Sequence, residues 1–521
     1  MTAKQRYDVL SSDRSQYLRV AEDAAKLTIP YLIHQDENAT GVRNLKTPWQ
    51  SVGAKGVVTL SAKLMLSLLP PQTSFFKLQV DESQLGQYGP EVKSELDLAF
   101  AKVERVILEA IAASDDRVTI HQAMKHLVVT GNALVYMGKD QLKLYPLNRY
   151  VLNRDGNGNV IEIVTKESIN KKLIEKEVPA IKTADVSGYG DDDKKDCDVY
   201  THVKIDGTKV TWHQEVYDHI IPKSRGKSPL KISPWLPLRF NTVDGEDYGR
   251  GRVEEFIGDL KSLEALSQAI VEGSAAASKV VFTVSPSSST KPQTLAQAGN
   301  GAIIQGRPED IGVVQVGKGA DFATAYQVMA QLEKRLSEAF LILSVRQSER
   351  TTAEEVRMTQ MELEQQLGGL FSLLTVELLV PYLDRKLSVM QKNKSIPAIP
   401  KDIVKPTIVA GINALGRGQD RESLGMFLQT IAQTMGPEAL QQFINPDEVI
   451  KRLAAASGID VLNLVKSMDE IQGEQQQAME QQMAMQEQQN APAMAAVDQK
   501  QAQAEMQMAM QQEQLRQQPP K

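Results

Sequence analysis

A glycine-rich turn that runs directly into an amphipathic helix is the most constraining feature of this chain. It occupies Arg239–Leu266, with the sequence RFNTVDGEDYGRGRVEEFIGDLKSLEAL. Three glycines, Gly245, Gly249 and Gly251, supply the backbone freedom that a sharp turn requires. Apolar residues then recur at spacings of three and four, the period of one helix face: Val253, Phe256, Ile257, Leu260, Leu263, Leu266 and Ile270. The segment therefore predicts a tight turn followed by a helix with one buried face.

The composition is that of a globular chain. With 521 residues, of which 42% are hydrophobic, it can bury a sizeable core and predicts two to four domains. A lone cysteine, Cys197, rules out an intrachain disulfide framework and fits a reducing compartment. The start of the chain has no apolar signal-peptide region, and the most apolar windows, Val57–Leu69 and Leu370–Val380, are too short to span a bilayer. We therefore expect no membrane segment.

Charge argues against a protein whose main task is to grip nucleic acid. The formal net charge is −6 and the sequence pI is about 5.7, whereas tight phosphate binding requires a basic face. A conduit along which DNA slides would also avoid strong phosphate contacts. Composition leaves both interpretations open.

The periodicity changes along the chain. Helical patterns dominate up to Gly131, and short alternating runs between about Ala133 and Phe240 predict antiparallel strands. The opening helix is predicted to reach about Ser278, and strands are predicted near Ala302–Gln305 and Gly312–Gln315.

A second long helical pattern lies towards the C-terminus. Thr352–Glu355 forms a capping box, the pattern continues to Val380 just before Pro381, and Gly368 and Gly369 predict a kink near its middle. Residues 403–471 read as a helical cluster. From Gln472 the chain is rich in Gln, Met and Ala, which predicts either a disordered tail or a helix that is stable only beside other copies.

No motif predicts catalysis, a metal site or a cofactor site. Gly312 and Gly317-Lys318 approach a phosphate-binding loop, but Gly319 replaces the hydroxyl residue that holds magnesium. His121 and His126 are spaced too far around a helix to share a metal ion. Cys197 lies in a charged region that we expect to be flexible, with no partner base. A nuclease would use carboxylates to hold two metal ions. Turn capping and solvated helix faces explain the acidic residues of this segment more simply: Asp244, Glu246, Asp247, Glu254, Glu255 and Asp259.

Several separated motifs, taken together and in order, resemble the portal, or head-to-tail connector, proteins of short-tailed double-stranded DNA phages. Besides Arg239–Leu266, these motifs are Thr47-Pro48-Trp49-Gln50 with Gly53 and Lys63-Leu64-Met65-Leu66, Gly306-Arg307-Pro308-Glu309-Asp310, Thr352-Ala353-Glu354-Glu355 with Leu367-Gly368-Gly369, and Gly416-Arg417-Gly418-Gln419-Asp420. The resemblance reaches from near the N-terminus to about residue 420.

The resemblance implies an α+β portal fold with wing, stem, clip and crown regions, assembled as a dodecameric ring around a DNA channel. On that plan residues 1–150 begin the wing, 151–245 form a β-rich region with the clip, and 246–280 form a stem helix. Residues 281–343 complete the wing. Residues 344–395 hold the channel loop and kinked helix, 396–471 a helical crown, and 472–521 a disordered tail or helical barrel.

The resemblance also implies roles for particular residues. The channel, or valve, loop would carry Arg346, Gln347 and Arg350, although both arginines could instead pair with Glu349, Glu354 or Glu355. The kink would lie at Gly368 and Gly369, and the junction of clip and stem at Gly245, Gly249 and Gly251. A docking surface on the clip would use four basic residues, which could equally form a solvated loop: Lys223, Arg225, Lys227 and Lys231.

The expected function is therefore structural: a ring at one capsid vertex that conducts DNA during packaging and ejection. The implied partners are further copies of the chain, double-stranded DNA as cargo, the terminase large subunit, tail adaptor and tail tube proteins, and capsid and scaffolding proteins. No membrane, metal or cofactor is implied. The expected location is the virion, after assembly in the host cytoplasm. The alternatives are an ATPase or nuclease of the packaging machinery, and an interior scaffolding or virion protein.

Overall fold

A computed structural model describes most of the chain. It covers residues 1–33, 45–70, 75–80, 90–139, 141–172, 174, 196–277, 281–299, 301–314, 319–342, 361, 365–367, 369–396, 406–410, 416–436, 443–444, 446, 449–450, 453, 481 and 500–512. The chain divides into two compact units. One comprises Met1–Gly89 and Ala99–Gly418, and the other comprises Pro90–Leu98 and Gln419–Lys521.

Helices and strands mix in the order of an α+β protein, so the predicted fold class is confirmed. The helices are α1 (Ala3–Lys26), α2 (Val52–Leu68), α3 (Pro90–Ala112), α4 (Asp116–Thr130), α5 (Arg252–Glu255), α6 (Ile257–Ala277), α7 (Pro292–Gln297), α8 (Gly319–Ala339), α9 (Leu370–Leu374), α10 (Val380–Lys392) and α11 (Gly416–Met435). The strands are β1 (Phe76–Val80), β2 (Asn132–Met137), β3 (Leu142–Tyr145), β4 (Tyr150–Arg154), β5 (Val160–Asn170), β6 (Asp196–Asp206), β7 (Lys209–Val216), β8 (His219–Ile220), β9 (Gly226–Pro229), β10 (Trp235–Arg239), β11 (Val281–Val284), β12 (Ile311–Val314) and β13 (Pro406–Ala410).

The central strands form two antiparallel sheets, as their alternating pattern predicts. The larger has the order β4-β5-β6-β7-β8, with β9 pairing with β7 beside β8, and the smaller has the order β10-β2-β3. Two further two-stranded pairs are β1 with β13 and β11 with β12.

Helix α1 packs on the larger sheet. Its buried residues recur at helical spacing and include Tyr7, Leu10 and Arg14, and the first two share an apolar cluster with Val151 and Val164. Arg14 is almost fully buried, and its Nη1 donates to the Tyr7 hydroxyl at 2.9 Å and to backbone carbonyl groups. These bonds satisfy a buried charge and fix the helix on the sheet.

Helices α6 and α8 lie side by side and run antiparallel. Asp259, near the start of α6, accepts a hydrogen bond from Arg335, near the end of α8, at 3.1 Å. Further along α6, the Ser267 hydroxyl lies 3.7 Å from the sulfur of Met329. Residues 281–314 therefore connect the two adjacent ends of a helical hairpin.

Three local expectations differ from the structure. Residues 302–305 form no strand, because Gly301 and the following residues make a turn and an irregular connection. Pro406–Ala410, expected to be helical, is a strand paired with Phe76–Val80, since a cross-strand partner distant in sequence overrides local helix preference. The opening helix is interrupted at Phe256, which separates α5 from α6.

Candidate functional site

The glycine-rich turn passes directly against the C-terminal end of α4. Gly131 ends that helix with a φ of 75°. A Cβ atom on Gly249 would lie 2.7 Å from the Gly131 carbonyl oxygen, and one on Gly251 would lie 2.7 Å from the Val129 carbonyl oxygen. Backbone atoms cannot move aside, so both positions require glycine. Gly245 differs, because its φ of 76° needs glycine although the surrounding space is open.

The side chain of Asn132 joins the two backbone segments. Its Nδ2 donates to the carbonyl oxygen of Gly249 at 2.7 Å and to that of Thr130 at 3.0 Å. Its Oδ1 accepts a hydrogen bond from the Gly249 amide at 2.8 Å. Asn132 is buried, so the turn is held by hydrogen bonds that water cannot replace, each contributing about 1 kcal/mol.

Arg250 is the electrostatic centre of the turn. Its guanidinium donates to both oxygens of Glu246, at 2.7 and 2.6 Å, and to Glu254 at 2.8 Å. It also lies 4.8 Å from the centre of the Tyr17 ring on α1. The hydrogen bond from Arg250 lowers the pKa of Glu246, and the same bond raises the pKa of Arg250. The turn is thereby tied to α1 and α5 at once.

Most of the acidic side chains here bind partners within the same chain. Glu255 forms a salt bridge with Arg252 at 2.5 Å, and the Asp247 carboxylate accepts a hydrogen bond from the Arg154 backbone amide at 2.7 Å. Asp259 binds Arg335 on α8. In the described part of the chain, no three histidine, cysteine or acidic side chains are arranged to hold a metal ion. The carboxylates stabilise the turn and the helix pair.

An ion pair that the sequence did not reveal anchors β10, the strand that precedes the turn. Arg239 at the end of β10 donates to Glu377 through its backbone amide at 2.9 Å and through its guanidinium at 3.1 and 2.7 Å. Both side chains are largely buried, with exposures of 13% and 14%. The available signal was a single carboxylate, Glu377, inside the apolar run Leu370–Val380.

Glu377 lies in an unusual helical turn. Residues Thr375–Leu379 form a π-helix between α9 and α10, and the helix continues to Lys392. The expected end at Val380, before Pro381, is therefore wrong. Because proline has no N–H, an α-helix here would leave the carbonyl group of residue 377 without its usual donor. The wider π-turn changes the hydrogen-bond pattern just before Pro381.

The structure describes only part of the predicted kink and none of the channel loop. Gly369 has a φ of 90° and precedes the first residue of α9. Gly368 lies outside the described residues, as do Arg346, Gln347 and Arg350. Their proposed roles remain predictions.

The four basic docking candidates lie around the edge of the larger sheet. Lys227 is in edge strand β9, Lys223 precedes it with a φ of 63°, and Arg225 is exposed. Lys231 is 74% exposed and lies 3.6 Å from Asp384. Charged side chains at a sheet edge also discourage aggregation, so the position fits a docking surface and a protected edge alike.

Three residues that were considered for a chemical role lie in regular helices or strands. Cys197 is buried in β6, so the expectation of a flexible, charged site is wrong; burial raises the pKa of its thiol. His126 is buried in α4, and burial lowers its pKa to about 4. Gly312 lies in β12, where a Cβ would meet the Thr283 hydroxyl at 2.6 Å.

Among the described residues, no helix is both long enough and apolar enough to cross a membrane.

Comparison with known proteins gives matches over nearly the whole chain. Residues 1–465 match a family described as bacteriophage head to tail connecting protein. The chain is 38% identical over 507 residues to the portal protein of Escherichia phage T7, covering 95% of this chain and 93% of that protein. It is 39% identical over 497 residues to the portal protein of Enterobacteria phage T3, covering 93% and 91% respectively. The portal protein of Enterobacteria phage SP6 is 32% identical over 492 residues, covering 92% of this chain and 93% of that protein.

Solved structures give a much weaker likeness. One is described as the neck of an empty GTA particle, computed with C6 symmetry. It has 12% sequence identity and a TM-score of 0.35, and the match covers 73% of this chain and 86% of the other.

Proposed function

This chain belongs to the bacteriophage head to tail connecting protein family, and from that membership we propose that its copies form a dodecameric ring at one vertex of the capsid. It is a structural portal protein of the virion. In the proposed ring, double-stranded DNA passes through a central channel during packaging and again during ejection.

The observation that carries this proposal is the extent of the sequence match. Identity to the T7 portal protein continues over 507 residues and covers 93% of that protein, so it is not confined to one shared domain. The relatives lend no support to the packaging-enzyme or scaffolding alternatives. We propose that the chain itself catalyses no reaction and leaves ATP hydrolysis to the terminase large subunit.

The paired helices α6 and α8 support a more specific proposal for the stem. The predicted stem covered only 246–280, but Asp259 and Arg335 join α6 to an antiparallel second helix. We assign both helices to the stem. The clip then falls at 281–314, which connects them, instead of within 151–245, whose larger sheet packs on α1.

The proposed partners follow from this position in the virion. The terminase large subunit would dock during packaging, and tail adaptor and tail tube proteins would replace it later. Capsid and scaffolding proteins would surround the ring while it assembles in the host cytoplasm. In the channel, Arg346, Gln347 and Arg350 would contact passing phosphates weakly, since exposed ion pairs contribute only about 0–1 kcal/mol each.

Electron microscopy of the purified full-length chain tests the ring directly. We expect class averages with a central hole and twelve-fold symmetry. A chain that stays monomeric at micromolar concentration would overturn the proposal. An ATPase and nuclease assay on the same preparation tests the enzymatic alternative, and turnover that survives further purification would favour it.

A further inference from the structure

Residues 281–314, here named the ribbon segment, contain an isolated pair of strands. Val281 in β11 lies opposite Val314 in β12, and the register continues to Val284 opposite Ile311. Neither strand pairs with any other strand in the described part of the chain. A two-stranded ribbon is at best marginally stable alone in water.

The register shows which backbone groups point away from the ribbon. The Ser285 amide donates to the Asp310 carbonyl oxygen at 2.9 Å, which identifies these two residues as a hydrogen-bonded pair. Hydrogen-bonded pairs alternate along an antiparallel ladder, so Thr283 and Gly312 also face each other. The outward-pointing N–H and C=O groups therefore belong to the remaining positions: Phe282 and Val284 on β11, and Ile311 and Val313 on β12.

The side chains that the structure describes in the ribbon segment form almost no core. Of its described side chains only Thr290 is buried, at 3% exposure. Phe282 is 56% exposed and Ile303 is fully exposed. Phe282 lies in β11 itself, and a large exposed apolar side chain on a strand with an unpaired edge is a usual sign of a surface that another chain covers.

We propose that the occupant is a second copy of this chain, and that the outer edge of β11 in one subunit pairs with the outer edge of β12 in the next. This inference rests on the proposed ring. Rotation about the ring axis keeps β11 antiparallel to β12 of the neighbour, so the contact extends the same kind of ladder. Repeated around the ring, it closes the ribbons into one barrel that has no free edge.

Two features favour a copy of the chain over an unrelated partner. Each ribbon has one outer β11 edge and one outer β12 edge. A head-to-tail contact between copies pairs every β11 edge with a β12 edge, whereas a single foreign strand would leave one of the two edges unpaired. The charges of the ribbon segment also cancel, since Lys291 and Arg307 balance Glu309 and Asp310. Copies can therefore approach without net repulsion.

The barrel would have suitable dimensions for a conduit. Twelve copies supply about 24 strands, and a spacing of about 4.8 Å gives a circumference of about 115 Å and a diameter of about 37 Å. Barrels of 16 to 18 strands already enclose an aqueous channel.

Hydrogen exchange on the full-length chain tests the pairing, after microscopy has separated ring from monomer. We expect the outward amides of Phe282, Val284, Ile311 and Val313 to exchange about 100-fold more slowly in the ring than in the monomer. Fast exchange of these amides in an intact ring would overturn the pairing while leaving the proposed function standing. If no ring forms at all, the proposed function itself fails. Protection that appears only when a packaging or tail protein is added would assign the edges to that protein.

A matched pair of variants isolates the outward hydrogen bond. Val284→Pro removes the N–H that points to the neighbour, whereas Val284→Ala truncates the valine side chain and keeps that N–H. We expect Val284→Pro to lower the ring fraction at least tenfold relative to Val284→Ala, with unchanged circular dichroism of the monomer. Equal ring fractions for the two variants would contradict the pairing.

Discussion

Replacing either of two nearby glycines by alanine should change stability in opposite directions. Gly251 and Gly258 lie seven positions apart in the motif Arg239–Leu266. At Gly251 a Cβ would lie 2.7 Å from the Val129 carbonyl oxygen and 2.8 Å from the Gly131 nitrogen, whereas at Gly258 nothing lies within 4 Å. Gly258 is also inside helix α6. The first position is closed by rigid backbone, and the second is open.

The magnitudes follow from these surroundings. Forcing a methyl group against two backbone atoms costs about 3 kcal/mol, at the upper end of overpacking effects. Alanine in place of glycine within a helix stabilises by about 0.5–1 kcal/mol. The free energies of unfolding of Gly251→Ala and Gly258→Ala should therefore differ by about 4 kcal/mol, with wild type between them.

Urea unfolding at one fixed protein concentration measures this difference, because ring formation makes stability depend on concentration. Tryptophan fluorescence follows the unfolding; Trp49, Trp212 and Trp235 contribute to it, and Trp235 lies in β10 just before the turn. Equal m-values among the three proteins would show that the same surface unfolds in each. The reasoning fails if Gly251→Ala is as stable as wild type, or if the two variants shift in the same direction.

Three further changes have expected outcomes. Glu377→Gln should lower the free energy of unfolding by about 3 kcal/mol in urea, because it leaves the buried Arg239 charge unpaired. Adding Arg239→Gln should recover part of that loss. A double variant less stable than either single variant would argue against a coupled pair. His126 has a folded-state pKa of about 4, below its ordinary value. Its titration therefore does not affect stability at pH 7. As the pH falls through 6.5 towards 4, the unfolded state gains the proton first, and the free energy of unfolding drops by up to about 3 kcal/mol. His126→Gln should remove that part of the pH dependence in thermal unfolding scans, and identical pH profiles would refute it. Replacing Arg346 and Arg350 by alanine should leave the ring intact in electron micrographs and raise the leak rate of packaged DNA about tenfold; unchanged retention would mean that these arginines do not contact the DNA.

The sequence predicted the elements well wherever a local pattern decides the outcome. Helical periodicity up to Gly131 predicted α4, and the alternating runs between about Ala133 and Phe240 predicted strands such as β4 and β5. Prediction failed where a distant partner intervenes: Pro406–Ala410 became a strand because Phe76–Val80 pairs with it. It also failed at Pro381, where a π-turn allows the helix to continue.

The candidate site shows the same division. Sequence alone identified the glycine-rich turn and, through its resemblance to known motifs, the portal family. It did not show why Gly249 and Gly251 must be glycine, since the atoms that exclude a side chain belong to Val129 and Gly131.

Sequence by itself thus determined the helical and strand periods, the turn chemistry and the family, because each depends on neighbouring residues or on motif order. Only the tertiary structure decided that Asn132 binds Gly249 across 117 positions, and that Arg239 meets Glu377 across 138. It also showed that β11 and β12 pair only with each other among the residues that the structure describes, since strand register depends on where the chain returns in space. The turn that opens the long helix is therefore a structural joint whose acidic residues mainly bind cations of their own chain.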